Sequence, residues 1–191
     1  MLHHYFIILL TKITNTMKTF TKISMLLLAM ITIFSCNKLD ELTEFDITQD
    51  FSTAVNVNVI EDSAGAAQTW SQSSTINLAT NDEIQSNLDL VQDVKINSIT
   101  FKVINFTGVE GAIATEASIS FGDTVIAVAD ITLEDSTTIY SIGNSSELNA
   151  IANDLKNAPQ ISATVSGTVT STPVQFDVFI SLDVTTTIDV L

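Results

Sequence analysis

No arginine occurs anywhere in this chain of 191 residues, cysteine and tryptophan occur once each as Cys36 and Trp70, and the two histidines are His3 and His4. Beyond residue 4, that inventory excludes Ser-His-Asp triads, histidine metal sites and arginine clamps on phosphate. With one cysteine there is no intrachain disulfide, so the fold must be held by packing alone. Positive charge is scarce too: seven lysines face 22 carboxylates, for a formal net charge of −15. Such a surface repels nucleic acid and anionic lipid, and suits a cationic partner or a solvated exterior. Aromatics able to stack on sugars are few.

What is present begins with Met17 to Cys36, MKTFTKISMLLLAMITIFSC. Lys18 and Lys22 make a short basic start, and Ile23 to Phe34 form a twelve-residue uncharged core. Ile33-Phe34-Ser35-Cys36 closes it, in the order of a secretory signal. Twelve helical residues rise about 18 Å, well short of the roughly 30 Å hydrocarbon core, so a spanning helix is disfavoured. The last four residues resemble the lipobox of bacterial lipoproteins through Ile33, Ser35 and Cys36. That resemblance implies a diacylglyceryl-modified, often further acylated Cys36 and loss of the preceding peptide. Two or three chains anchor stably, because each buried methylene contributes about 0.8 kcal/mol and one chain alone is marginal.

Residues 1–16 fit no part of such a signal, and the expectation is a mis-assigned extension with translation starting at Met17. All 22 acids follow Cys36, against four lysines, which gives the processed chain a formal charge of −18. Asn37-Lys38-Leu39-Asp40-Glu41 resembles the export signal of surface lipoproteins in Bacteroidetes, which implies display on the cell exterior. The expected layout is 1–16 extension, 17–35 signal peptide, 36–48 acylated cysteine and acidic tether, and 49–191 a single domain.

Within that domain Val55, Val57 and Val59 alternate with asparagines, the period of a half-buried strand. A second strand is expected from Trp70 to Leu78. Thr80-Asn81-Asp82-Glu83 has capping-box spacing, and Ile84, Leu88 and Val91 predict a short amphipathic helix after it. Val94 and Ile96 lie out of phase with Ile99, Phe101 and Val103, which predicts a bulge near Asn97-Ser98. Ile113 to Phe121 and Val125 to Leu133 read as a hairpin about Gly122-Asp123, followed by a short strand over Ile139 to Ile142. Asn144 to Glu147 opens a second helix that Pro159 ends. From Val174 to Val190 the alternation is nearly strict, with Phe179 the exception on the polar side. Such length calls for a bend or two neighbours, and Ile161 to Thr170 is expected to be an antiparallel partner.

The pattern predicts a mostly antiparallel β-sandwich, Ig-like or similar, with two short helices; an up-and-down barrel is the alternative. The runs NSITFKVINFTG (97–108) and PVQFDVFISLDV (173–184) resemble uncharacterised flavobacterial lipoproteins, a likeness that implies no activity.

Candidate chemistry is thin, and no catalysis is expected. A serine–lysine pair would need Lys38, Lys95, Lys102 or Lys156 buried beside a serine. A carboxylate pair could draw on Glu116, Asp177 and Asp183, for which a solvated sheet face is the simpler account. Glu61-Asp62, Asp82-Glu83 and Glu134-Asp135 are oxygen-rich pairs suited to a structural calcium, though none has the calcium-loop spacing. No other cofactor is implied. Trp70 is the candidate ligand contact and, with Tyr140, what a glycan-binding face would use. A core position suits a strand tryptophan better. The expectation is a membrane-anchored envelope protein of structural or protein-binding type, with a surface glycan-binding module as the alternative.

Overall fold

The computed structural model describes residues 43–61 and 66–190, and its compact unit is Phe45–Val190. The elements run β1 (Glu44–Val59), β2 (Gln68–Asn77), α1 (Asp82–Ser86), β3 (Val91–Gly108), β4 (Ile113–Phe121), β5 (Thr124–Ala127), β6 (Ile131–Thr132), β7 (Tyr140–Ile142), α2 (Ser145–Asn157), β8 (Gln160–Val169) and β9 (Val174–Asp189). One sheet has the order β1-β9-β3-β7; the other runs β2-β8-β4-β5, with β6 also on β4. The chain changes sheet at each step from β1 to β4, and again after β6, β7 and β8. The result is a β-sandwich of two antiparallel sheets. Two separate sheets rule out the closed barrel.

Alternation along β9 sets the layer between the sheets. Val174, Phe176, Val178, Ile180, Leu182, Val184 and Ile188 are buried, while their odd-numbered neighbours face outward. Thr186 shares the buried face, fully covered, and its hydroxyl has no partner among the described residues. From the opposite sheet Ile119, Phe121, Ile161, Ala163 and Val165 complete the core.

β3 is longer than the stretch of β9 it pairs with, and it sheds one extra residue at each of three shifts, Val91/Asp93, Ile96/Ser98 and Ile104/Thr107. The second is the bulge expected at Asn97-Ser98, and it returns Ile99, Phe101 and Val103 to the core. Extra residues aim their side chains across the sheet. Asn97 Nδ2 donates to Asp183 Oδ1 and Thr185 Oγ1, both at 3.0 Å. Asn105, in the left-handed region at φ 57°, donates to Asp177 Oδ2 at 2.7 Å. From β1, Asn56 donates to Asp177 Oδ1 at 2.7 Å, so both carboxylate oxygens of Asp177 are engaged. Thr48–Thr185 and Asp46–Thr187 contacts continue the row, each β9 partner retreating as β1 advances, which is an antiparallel register.

Local signals account for the helices. Asn144 Oδ1 accepts from the amides of Ser146 and Glu147, and Glu147 Oε2 accepts from Asn144 N at 2.8 Å, a closed capping box for α2. Ile151, Ala152 and Leu155 are its buried stripe.

Four expectations are corrected. The first helix is capped by Asn81 rather than Thr80 and ends at Ser86; Leu88 to Leu90 form a 3-10 turn, and Val91 already belongs to β3. A helix this short gains little from propensity, so β3 takes the β-branched residue. β8 and β9 are not a hairpin: β8 pairs with β2 and β4, and β9 with β1 and β3. Ser171-Thr172-Pro173 carries the chain between sheets, which lets both inner faces meet in one core. The second arm of the expected hairpin stops at Ala127, and Ile131-Thr132 rejoin β4 farther along. Finally β1 starts at Glu44, inside the stretch 36–48 expected as tether, because Ile47 is buried in phase with Phe51.

Two substitutions test these contacts. Thr186→Val removes a buried hydroxyl without a hydrogen-bond partner among the described residues and should raise the unfolding free energy by about 1 kcal/mol, read by denaturant titration. Asp177→Ala takes the acceptor from both Asn56 and Asn105, and the same titration should show a loss of about 1–2 kcal/mol, with Asp177→Asn intermediate because one acceptor oxygen remains.

Candidate binding surface

Hydroxyls dominate the outward face of the five-stranded sheet. On β2 the exposed positions are Thr69, Ser71, Gln72, Ser73 and Thr75; Trp70 and Ser74 turn inward half-buried, and Ile76 is buried. β8 repeats the pattern with Ser162, Thr164, Ser166 and Thr168 between Ile161, Ala163, Val165 and Val169. β4 adds Thr115, Ser118 and Ser120. The register sets Thr69, Thr168 and Thr115 in one row, Ser71, Ser166 and Ser118 in the next, and Ser73, Thr164 and Ser120 in a third.

Spacing follows from sheet geometry, about 4.8 Å between strands and about 6.6 Å between successive outward residues of one strand. Ser73 and Thr164 hydroxyls bond at 2.7 Å, and Ser118 and Ser166 at 2.9 Å. One carboxylate reaches these rows: Glu116, the extra residue of a β4 bulge with φ 51°, accepts from Thr168 Oγ1 at 3.4 Å. On a chain this acidic, the face sets this single carboxylate among uncharged groups that both donate and accept. The alternation T-W-S-Q-S-S-T and S-A-T-V-S-G-T was its sequence signature, hidden because period-two analysis follows the apolar residues.

Trp70 lies on the other side of that sheet. Its ring meets Phe176 edge-on at 5.5 Å between centroids, and it helps line a small apolar pocket of about 20 Å³ with Phe101, Val165 and Phe176. Its buried Nε1 has no partner among the described residues. Gly167 pairs with Trp70, and a Cβ there would stand 3.3 Å from the indole and 3.1 Å from the Thr115 carbonyl oxygen, so glycine makes room for the ring. Tyr140 stacks on Phe101 at 5.0 Å in an apolar cleft of about 320 Å³ between β7 and the β5–β6 edge. The two aromatics share no exposed surface that would cradle a sugar.

The remaining sequence candidates are dispersed. Asp177 and Asp183 share the outer face of β9 six residues apart, about 20 Å, whereas paired glycosidase carboxylates sit about 5–9.5 Å apart. Glu116 belongs to the other sheet. Asp82 and Glu83 occupy the first turn of α1, and Asp135 accepts from Phe106 N at 2.9 Å. Glu61 is exposed, and its neighbour Asp62 lies outside the described residues. Among the described residues no group of three or more His, Cys, Asp or Glu is placed to hold a metal ion. Lys102 Nζ stands 5.3 Å from the centroid of Phe179, and Lys156 pairs with Asp93 at 3.9 Å. Phe179 thus serves as a partner for a cation on the outer face. Cys36 and Lys38 lie outside the described residues, and among those described no helix is long and apolar enough to cross a membrane.

No protein-family model matches the chain, and no curated protein matches it. Solved structures similar to it include the decameric BFDV capsid protein, at 9% identity over 74% of this chain and 99% of that one, with a TM-score of 0.39. Desmodium yellow mottle tymovirus follows at 6% identity, 77% and 84% coverage and a TM-score of 0.32. A mud crab tombus-like virus gives 8%, 77% and 81%, and 0.36. Likeness at this level carries no argument about function, and the β-sandwich stands on the sheet order and registers described above.

Proposed function

We propose that this chain is a lipid-anchored protein of the cell envelope, held at the outer membrane and displayed at the cell surface, whose β-sandwich binds another protein and performs no catalysis. The anchor rests on Cys36 and the signal-like stretch before it. Binding rests on one observation: the neutral rows of hydroxyls on β2, β8 and β4, set on a domain that is acidic elsewhere. Serine and threonine hydroxyls meet backbone and side-chain groups of either polarity, and short side chains lose little rotamer entropy on contact. No cofactor and no nucleic acid enter this reading.

A glycan-binding module is the second reading, favoured by the same hydroxyls, which match the hydrogen bonding of sugars. The inward turn of Trp70 weighs against it, since sugar faces usually seek an exposed ring.

The full-length protein, expressed in a bacterium that processes lipoproteins, should incorporate alkyne-palmitate and fractionate with membranes. Cys36→Ser should lose both the label and the membrane association; a Cys36→Ser protein that still partitions with membranes would sink the anchor. Retention on insoluble polysaccharide that disappears in a Ser71→Asp, Thr164→Asp, Ser166→Asp variant would transfer the binding role to glycans.

A further inference from the structure

A β-sandwich has edges, and each edge strand presents unpaired amides and carbonyls that invite another strand. Three of the edges here carry the usual protection. β1 bears Glu44, Asp46 and Asp50. β7 is three residues long, and the β3 edge beyond it is broken by bulges. The edge formed by β5 and β6 is in two short pieces.

β2 has none of these devices. It runs ten residues, QTWSQSSTIN, without a charge or a proline, and pairs with β8 through every residue with no register shift. Among the described residues no strand pairs with its outer edge. It also borders the hydroxyl rows, the least charged part of the surface. Two copies of so acidic a chain repel wherever their carboxylates approach, and at this edge that repulsion is smallest.

We propose that β2 pairs with β2 of a second copy of this chain, antiparallel about a two-fold axis, joining the two five-stranded sheets into one. An isologous contact is self-complementary by symmetry. Directly opposed residues of an antiparallel pair point to the same face, so the register must oppose odd positions to odd ones, since a one-residue slip would set hydroxyls against the core side. Centred on Gln72, it opposes Ser71 to Ser73 of the second copy and Gln72 to its own counterpart. The hydroxyl rows then continue across the joint, and the contact face doubles in width. This inference goes beyond the anchor and holds whether or not Cys36 is acylated.

Cys36 is the only cysteine, so in a Cys36→Ser background one introduced thiol reports the contact. In the full-length protein under mild oxidation, Gln72→Cys should form a disulfide-linked dimer, whereas Ser141→Cys on the β7 edge should not. Adding Ser71→Lys and Ser73→Lys, which oppose like charges across the axis, should abolish the dimer while leaving the circular dichroism spectrum unchanged. Trapping no greater at residue 72 than at residue 141, trapping that survives the lysines, or a cross-linked species of a mass other than twice the chain would each overturn the self-pairing.

Discussion

The rest of the structure depends on one constraint, that β9 must keep one face in the core and the other in water for its whole length. Its even-numbered side chains fill the space between the sheets from Val174 to Ile188. A neighbour with more residues can follow such a strand only by shedding the surplus. β3 does so three times, and two of the shed residues are Asn97 and Asn105. Core packing therefore dictates register, register dictates where the bulges fall, and the bulges decide which polar side chains reach Asp183 and Asp177.

The lack of arginine gives that network its character. Where many proteins would set a guanidinium against each carboxylate, this one uses asparagine amides, neutral donors that engage the charge without cancelling it. Such bonds respond less to salt than ion pairs do, because the attraction being screened is charge to dipole. The acidic charge stays on the surface, and the outer face of the β1-β9-β3-β7 sheet is strongly anionic. The opposite sheet keeps only Glu116 near its hydroxyl rows. Two faces of similar construction thus offer a partner very different potentials.

Much of this was legible where burial and period coincide. The last strand, the bulge at Asn97, the capping box at Asn144 and the sandwich itself follow from apolar spacing and turn chemistry. The pairing of β8 was not legible, since adjacency in sequence suggests a hairpin while the core needs β8 and β9 in different sheets. β1 hid its first residues because Glu44 and Asp46 read as a tether, although Ile47 already points inward. For the candidate site, Trp70 drew attention as the lone tryptophan, yet space left by Gly167 seats it inside. The hydroxyl rows are not legible in the sequence, because polar residues on a strand signal only exposure until a register aligns them across three strands.

Alignment is what makes those hydroxyls a candidate site under the proposed reading. Isolated serines gain little over water, since each hydrogen bond made to a partner replaces one made to solvent. In register, neighbouring hydroxyls such as Ser73 and Thr164 already bond one another, so the face needs few waters to stay satisfied and costs little to desolvate. Modest gain per group then favours breadth over depth: many shallow contacts spread across a wide sheet with little charge. A face of that kind would suit the proposed protein partner better than a small ligand, which touches too few groups at once, and the wider the face, the stronger that preference becomes.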